Sequence, residues 1–255
     1  PAPGGALAIV QSGLLDDVDE FFAIHVSPAF DASVLAINYG EAMAAADTIQ
    51  IEFIGKGCHA AMPNEGIDPI LMQAEFIISA QTIITRKLSP MERAVITFAK
   101  VEAGTAHNVI PENATITGTV RTFNQETRIT IKNELDRLAS SIAHRYQGDY
   151  RLDYEFGYDP VINSQASVDT FIASAKRILG NDSVTILDIP TAGSEDFSRY
   201  INLKEGALAW LGVKHKDLKN YNIHHPKFTV NEDALMNGVN IFIDIIMRRS
   251  KNGIN

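Results

Sequence analysis

The chain reads as an α/β protein interrupted by a ferredoxin-like β-α-β-β-α-β domain. Three observations predict this. Phe21–Val26 and Ala207–Val213 are unbroken apolar runs, the pattern of strands covered on both faces in a parallel sheet. From Thr48 to Ile54 the pattern changes, with Ile49, Ile51 and Phe53 alternating with Gln50 and Glu52 as in a strand with one wet face. Between residues 46 and 158 the elements then follow the order strand, helix, strand, strand, helix, strand. The outer pieces, 1–45 and 159–255, are expected to pack together as one α/β domain, with 46–158 inserted into it.

Taken in order, residues 4–13 predict a short helix stopped at Gly13. Phe21–Val26 is a buried strand ending at His25, and strand ends are where α/β sheets place ligands. Pro69 opens a helix with Ile70, Leu71, Ala74, Ile77 and Ile78 expected on its inner face. Ala94–Val101 and Thr115–Phe123 are strands joined through Asn108–Asn113. Asn124 caps a long helix carrying Ile131, Leu135, Leu138 and Ile142 on one stripe. Tyr150–Phe156 closes the insert. After Pro160 come a helix over 164–180, a strand over Val184–Leu187, and a helix capped by Ser194. A strand over Ala207–Val213 follows. The last helix, capped by Asn231, is expected to turn Leu235, Val239, Phe242, Ile243 and Ile246 inward.

The net charge of −9 argues against a nucleic-acid partner, which calls for a basic face. No apolar run reaches the ~20 residues of a membrane helix, so no membrane partner is expected. Cys58 is the single cysteine, so no intrachain disulfide can form; this fits a reducing, cytoplasmic setting.

Several residues can carry chemistry. His25 is either a core histidine satisfied by a backbone carbonyl or a metal ligand oriented by such a contact. His224 and His225 are neighbours, so in an extended segment at most one reaches a given site; the alternative is a solvated pair. Two imidazoles are too few for a zinc or manganese site, which needs three or four ligands. His59 lies in Gly55-Lys56-Gly57-Cys58-His59-Ala60-Ala61-Met62-Pro63. Gly57 there permits an unusual backbone angle, and the small neighbours allow close approach. His59 is either a donor to a developing oxyanion or a surface-loop residue. Arg121 shares a strand face with Thr115, Thr117 and Thr119, and can hold a carboxylate in a two-point fork or sit solvated at an edge. Asn108 can donate its side-chain amide to a carbonyl or simply shape a turn. Gly193-Ser194-Glu195-Asp196-Phe197 opens a helix whose free N–H groups suit a carboxylate, although plain N-capping explains the same residues.

With these motifs in this order, the chain resembles the metal-dependent amidohydrolases and peptidases that include hippurate hydrolase, N-acyl-amino-acid amidohydrolases and auxin-conjugate hydrolases. The motifs are Gly55–Pro63, Gly104–Pro111, Gly118–Phe123, Gly193–Phe197 and His224–Leu235. The resemblance implies a catalytic α/β domain of zinc-peptidase type, interrupted by a lid domain that often makes a homodimer. It implies two divalent ions, zinc or manganese, and a small N-acyl amino acid as substrate. It assigns His25 and His224 as metal ligands and His59 as the catalytic histidine that approaches the substrate carbonyl. Asn108, Arg121 and Gly193 become substrate contacts.

Two of the family's motifs have no counterpart: an upstream Cys/His motif, and a Glu pair that carries the general base and precedes a helix start like Pro1–Gly5. The chain is therefore expected to be a fragment, inactive alone, of an enzyme that cleaves the amide bond of N-acyl amino acids. Cys58, His107 and Ala192 also depart from the residues usual at those positions. The alternative is a non-catalytic module that dimerises or binds a carboxylate ligand.

Overall fold

The computed structural model describes residues 4–252. The expected helix start at Pro1–Gly5 therefore lies partly outside the described residues. In chain order the first elements are α1 (Gly4–Gln11), β1 (Glu20–Asp31), β2 (Leu35–Ile37), β3 (Gly40–Met43) and β4 (Ala45–Ile54). Then come β5 (Cys58–His59), α2 (Pro69–Thr82), β6 (Ala94–Ala103), β7 (Val109–Ile110), β8 (Asn113–Thr122), α3 (Gln125–Tyr146) and β9 (Asp149–Tyr158). The chain continues with β10 (Val161–Asn163), α4 (Gln165–Leu179), β11 (Val184–Ile186), α5 (Ser198–Ile201), β12 (Glu205–Lys214) and α6 (Asp233–Asn252). These elements form two compact units: residues 44–160 with 192–194, and the described remainder of 3–43, 161–191 and 195–255.

The first unit is an antiparallel sheet in the order β6-β8-β4-β9. With β4, β6, β8 and β9 as its four strands in sequence, this is the ferredoxin-like order. Along β4 the alternation holds: Ile49, Ile51 and Phe53 are buried against Met72, Phe76 and Ala80 of α2 and Ile131, Leu135, Ala139 and Ile142 of α3. Asp68 starts α2 by accepting from Ile70 N, and Asn124 starts α3 by accepting from Thr127 N, each satisfying an otherwise orphaned donor. The inner face of α2 differs from the expected one except at Ile77, which packs against the core. Met72, Phe76 and Ala80, spaced by four, face the core, while Ile70, Leu71, Ala74 and Ile78 face water. Both faces of α2 are apolar, so periodicity alone does not choose between them.

The second unit is a mixed sheet in the order β1-β12-β2-β11, with β3 and β10 paired beside it. β12 is the central, buried strand. β1 pairs with it in parallel but is only half-buried, not covered on both faces, because it stands at the sheet's edge. α4 and α6 pack Phe171, Ala175, Ile241 and Ile245 onto Leu35, Ile37, Ala207 and Ala209. On α6 the buried stripe is Ala234, Gly238, Ile241 and Ile245. Leu235, Val239, Ile243 and Ile246, expected inside, are exposed, and Phe242 is half-buried. The choice of face again fails where two apolar stripes share one helix. No helix among the described residues is long and apolar enough to cross a membrane.

Candidate functional site

In the first unit, His59 sits on a two-stranded ribbon that sequence reading missed. β5 pairs with β7, setting Cys58 opposite Ile110 and His59 opposite Val109. Ala60 N donates to Asn108 O at 3.0 Å, so His59 and Asn108 belong to one small structure. Its signal in the sequence is slight, because two residues per strand show no periodicity. Gly57 is not in the left-handed region, so the unusual angle it permits is not used. Its value is space: a Cβ there would stand 3.1 Å from Ile110 O and crowd the ribbon. A Cβ at Gly66 would lie 2.6 Å from Lys56 O, so the strap behind the ribbon also needs a bare backbone.

The ring of His59 is exposed, and its Nδ1 accepts from Ala61 N at 3.0 Å. An Nδ1 that accepts a hydrogen bond carries no proton, so the neutral ring holds its hydrogen on Nε2. That nitrogen is then a donor available to a carbonyl oxygen that gains negative charge.

Arg121 lies on β8 and lines a cavity of about 230 Å³ with Thr48, Thr119, Glu155, Tyr158 and Ser194. Its Nη1 donates to Ser194 Oγ at 3.2 Å, which fixes the guanidinium and leaves its other N–H groups to bind a ligand. This contact replaces the expected N-cap. α5 begins at Ser198, spans four residues and takes no side-chain cap, so Gly193–Phe197 does not open a helix. Glu195 and Asp196 serve the backbone instead, accepting from Phe197 N at 2.6 Å and Ala6 N at 2.9 Å. Gly193 O accepts from Ala44 N at 2.9 Å.

Behind Arg121's sheet face is a buried ionic network that sequence reading also missed. Asp47 occupies an inward position of β4, fully buried. Arg128, 1% exposed, donates to both Asp47 oxygens and to Asp159, with its guanidinium carbon 4.9 Å from the centre of the Phe156 ring. Tyr154 Oη donates to Asp47 Oδ2 at 2.8 Å, and Gly157 N to Oδ1 at 3.0 Å. Burial opposes the charge on Arg128, but the two carboxylates outweigh it and raise its pKa. Tyr154 is pushed far above the ordinary tyrosine value, first by burial and then by the charge of Asp47. A charged residue at a core position of an alternating strand was the signal available, since it must find a partner.

The second unit holds His25 and His224. His25 lies within β1 rather than at its end; pairing with β12 runs unbroken from Glu20 to Ser27. Its Nδ1 is 2.8 Å from Val26 O, and its ring lies 5.1 Å from that of Trp210. With Nδ1–H on a carbonyl, Nε2 is left as a lone-pair donor, the arrangement that suits a metal ligand as well as a satisfied core histidine. The two late histidines sit in a turn, not an extended segment. His225 N donates to Asn222 O, and His224 has φ +68°. His225 is occupied: it stacks on Tyr221 at 4.4 Å, and its Nδ1 accepts from Lys227 N. His224, exposed like His225, is the one held in the left-handed conformation.

Among the described residues, no group of three His, Cys, Asp or Glu side chains could hold a metal ion. The imidazole of His25 fits a ligand role, but His25 and His224 are at most part of a donor set.

The chain is similar to N-acetyl-L-cysteine deacetylase of Bacillus subtilis, 30% identical over 92% of this chain and 55% of that protein. It is 35% identical to N-acetyldiaminopimelate deacetylase of Streptococcus gordonii, over 91% of this chain and 60% of that protein. It thus spans less than two thirds of these relatives' length. Its fold matches YXEP of Bacillus subtilis, described as a dinuclear metal binding peptidase from the M20 family. The TM-score is 0.75 with 27% identity, covering 94% of this chain and 60% of that one. A protein of methicillin-resistant Staphylococcus aureus assigned as an aminohydrolase matches with a TM-score of 0.91 and 26% identity, over 97% of this chain and 64% of that one. A family model matches residues 1–248, and on that match the chain belongs to peptidase family M20/M25/M40.

Proposed function

We propose that this chain is part of an enzyme that hydrolyses the amide bond of N-acyl amino acids, with His59 donating from Nε2 to the carbonyl oxygen as it becomes an oxyanion. The observation that carries this is the Ala61 N–H contact to His59 Nδ1, which assigns the ring proton to the outward nitrogen. Asn108, on the same ribbon, supplies a second donor. Arg121, held by Ser194, takes the substrate carboxylate, with the backbone at Gly193 beside it. Residues 46–158 are read as the lid of a catalytic α/β domain that comprises 1–45 and 159–255.

His25 and His224 are proposed as ligands to divalent ions, zinc or manganese. Such ions polarise a carbonyl and lower the pKa of bound water. Relatives that act on N-acetylcysteine and N-acetyldiaminopimelate support the substrate class.

The test is acetate release from N-acetyl amino acids by the complete protein with Zn²⁺ or Mn²⁺. Turnover that falls about 10²–10³-fold in His59→Ala supports the assignment, since that is the usual cost of losing one oxyanion donor. An active enzyme indifferent to His59→Ala rejects it.

A second reading, a carboxylate-binding module without turnover, is favoured by the Arg121 pocket, which is lined entirely from one unit. Binding of N-acetyl amino acids with no acetate release would select it. A homodimer through the lid is proposed from the outer edge of β6, where Val95 and Val101 are exposed, and from Ile70, Leu71 and Ile78 on α2. Sedimentation of Ile78→Lys as a monomer, against a wild-type dimer, would support it. A cytoplasmic location is proposed from the single cysteine.

A further inference from the structure

We infer that the amino-acid part of the substrate carries a cationic side chain, received by Glu155 while Arg121 holds the carboxylate; this rests on the amidohydrolase reading above. The two charges line one cavity of about 230 Å³. Strand register places them. β8 and β9 flank β4, with Arg121 opposite Ala46 and Glu155 opposite Thr48. The two residues therefore lie one strand apart on either side of β4 and two positions apart along it. Strand spacing and rise put their Cα atoms roughly 12 Å from each other. Thr48 and Thr119, directly opposite each other, line the cavity between them.

No ion pair joins Arg121 to Glu155; the guanidinium is turned to Ser194 Oγ. Each charge is thus free to meet a ligand group of the opposite sign. A site for a carboxylate alone gains nothing from Glu155, because a second carboxylate beside the first is repelled. The same Glu155 becomes favourable if the ligand brings an ammonium a few ångströms from its carboxylate. Lysine, ornithine and other diamino acids acylated at one nitrogen have that spacing. An uncharged side chain leaves Glu155 to water.

The test is calorimetric or NMR titration of the 255-residue chain at low salt with Nα-acetyl-L-lysine and with N-acetyl-L-norleucine, its uncharged analogue of similar length. The lysine derivative is expected to bind about tenfold more tightly, the scale of one charge-assisted hydrogen bond. Glu155→Gln should erase that difference and leave the norleucine derivative within about twofold. Glu155→Lys should reverse the preference, towards N-acetyl-L-glutamate. Glu155 is exposed, so these variants leave the core untouched. Equal affinities in the wild type, or a preference for lysine that survives Glu155→Gln, would overturn the inference while the carboxylate clamp stands. Failure of both probes to bind would reject the clamp at Arg121 and the inference with it.

Discussion

Arg128 holds both carboxylate oxygens of Asp47 inside the ferredoxin-like unit, from 81 residues away in sequence. Both side chains are almost fully enclosed, so neither charge has water to fall back on. Removing Arg128 leaves the buried carboxylate of Asp47 without a countercharge. Arg128→Met should destabilise this unit by about 3–5 kcal/mol, read from urea denaturation. The double variant Asp47→Leu/Arg128→Met should recover much of that loss, because no fully buried carboxylate is left stranded; Asp159, Arg128's other partner, is 19% exposed and keeps access to water.

Tyr154 adds a pH signature to the same network. Its folded-state pKa lies well above the ordinary tyrosine value of 10, while the unfolded chain titrates near that value. A raised folded pKa contributes stability that is fully present below the unfolded pKa and drains away as pH rises beyond it. Wild-type stability should therefore fall above about pH 10. Tyr154→Phe should cost about 1–2 kcal/mol at neutral pH, through the lost hydrogen bond to Asp47. Its deficit should shrink as pH climbs above 10; chemical denaturation at pH 7 and pH 10.5 would show whether it does.

The tautomer of His59 can be read directly. Long-range ¹H–¹⁵N correlation at pH 8 should show a neutral ring protonated on Nε2, with Nδ1 as acceptor. A ring protonated on Nδ1 would remove the donor role proposed for it.

The glycines around the ribbon should resist substitution for steric reasons. Gly66→Ala would drive a Cβ into Lys56 O and Cys58 Sγ. We expect a loss of about 1–3 kcal/mol, the scale of overpacking, together with shifts in the amide resonances of Cys58 and His59. Gly5→Ala, with open space around its Cβ, is the control and should change little.

Legibility in the sequence followed the physics of each element. The alternating strand β4 could be read because its two faces meet different solvents, and α3 because only one of its stripes is apolar. α2 and α6 could not be oriented, since each carries two apolar faces and only tertiary packing selects one. The ribbon of β5 and β7 was hidden because its pairing joins residues about fifty apart with too few positions for a pattern. Ser194 looked like a cap because it precedes apolar residues at helical spacing, but the helix there is a single turn and the hydroxyl serves Arg121. Asp47 was legible as an anomaly, a charge where an apolar residue belongs, but nothing local names Arg128 as its answer.

His224 adopts a backbone conformation that glycine takes freely and histidine does not. Non-glycine residues in this region carry strain on the order of 1 kcal/mol or more. Selection for stability alone would thus drive this position towards glycine, and a screen for thermal tolerance should enrich His224→Gly. A lineage that keeps the imidazole there is trading robustness for whatever the ring does. The position therefore makes a ledger of selection: the gain in melting temperature on His224→Gly measures how much strain the protein tolerates to present one side chain.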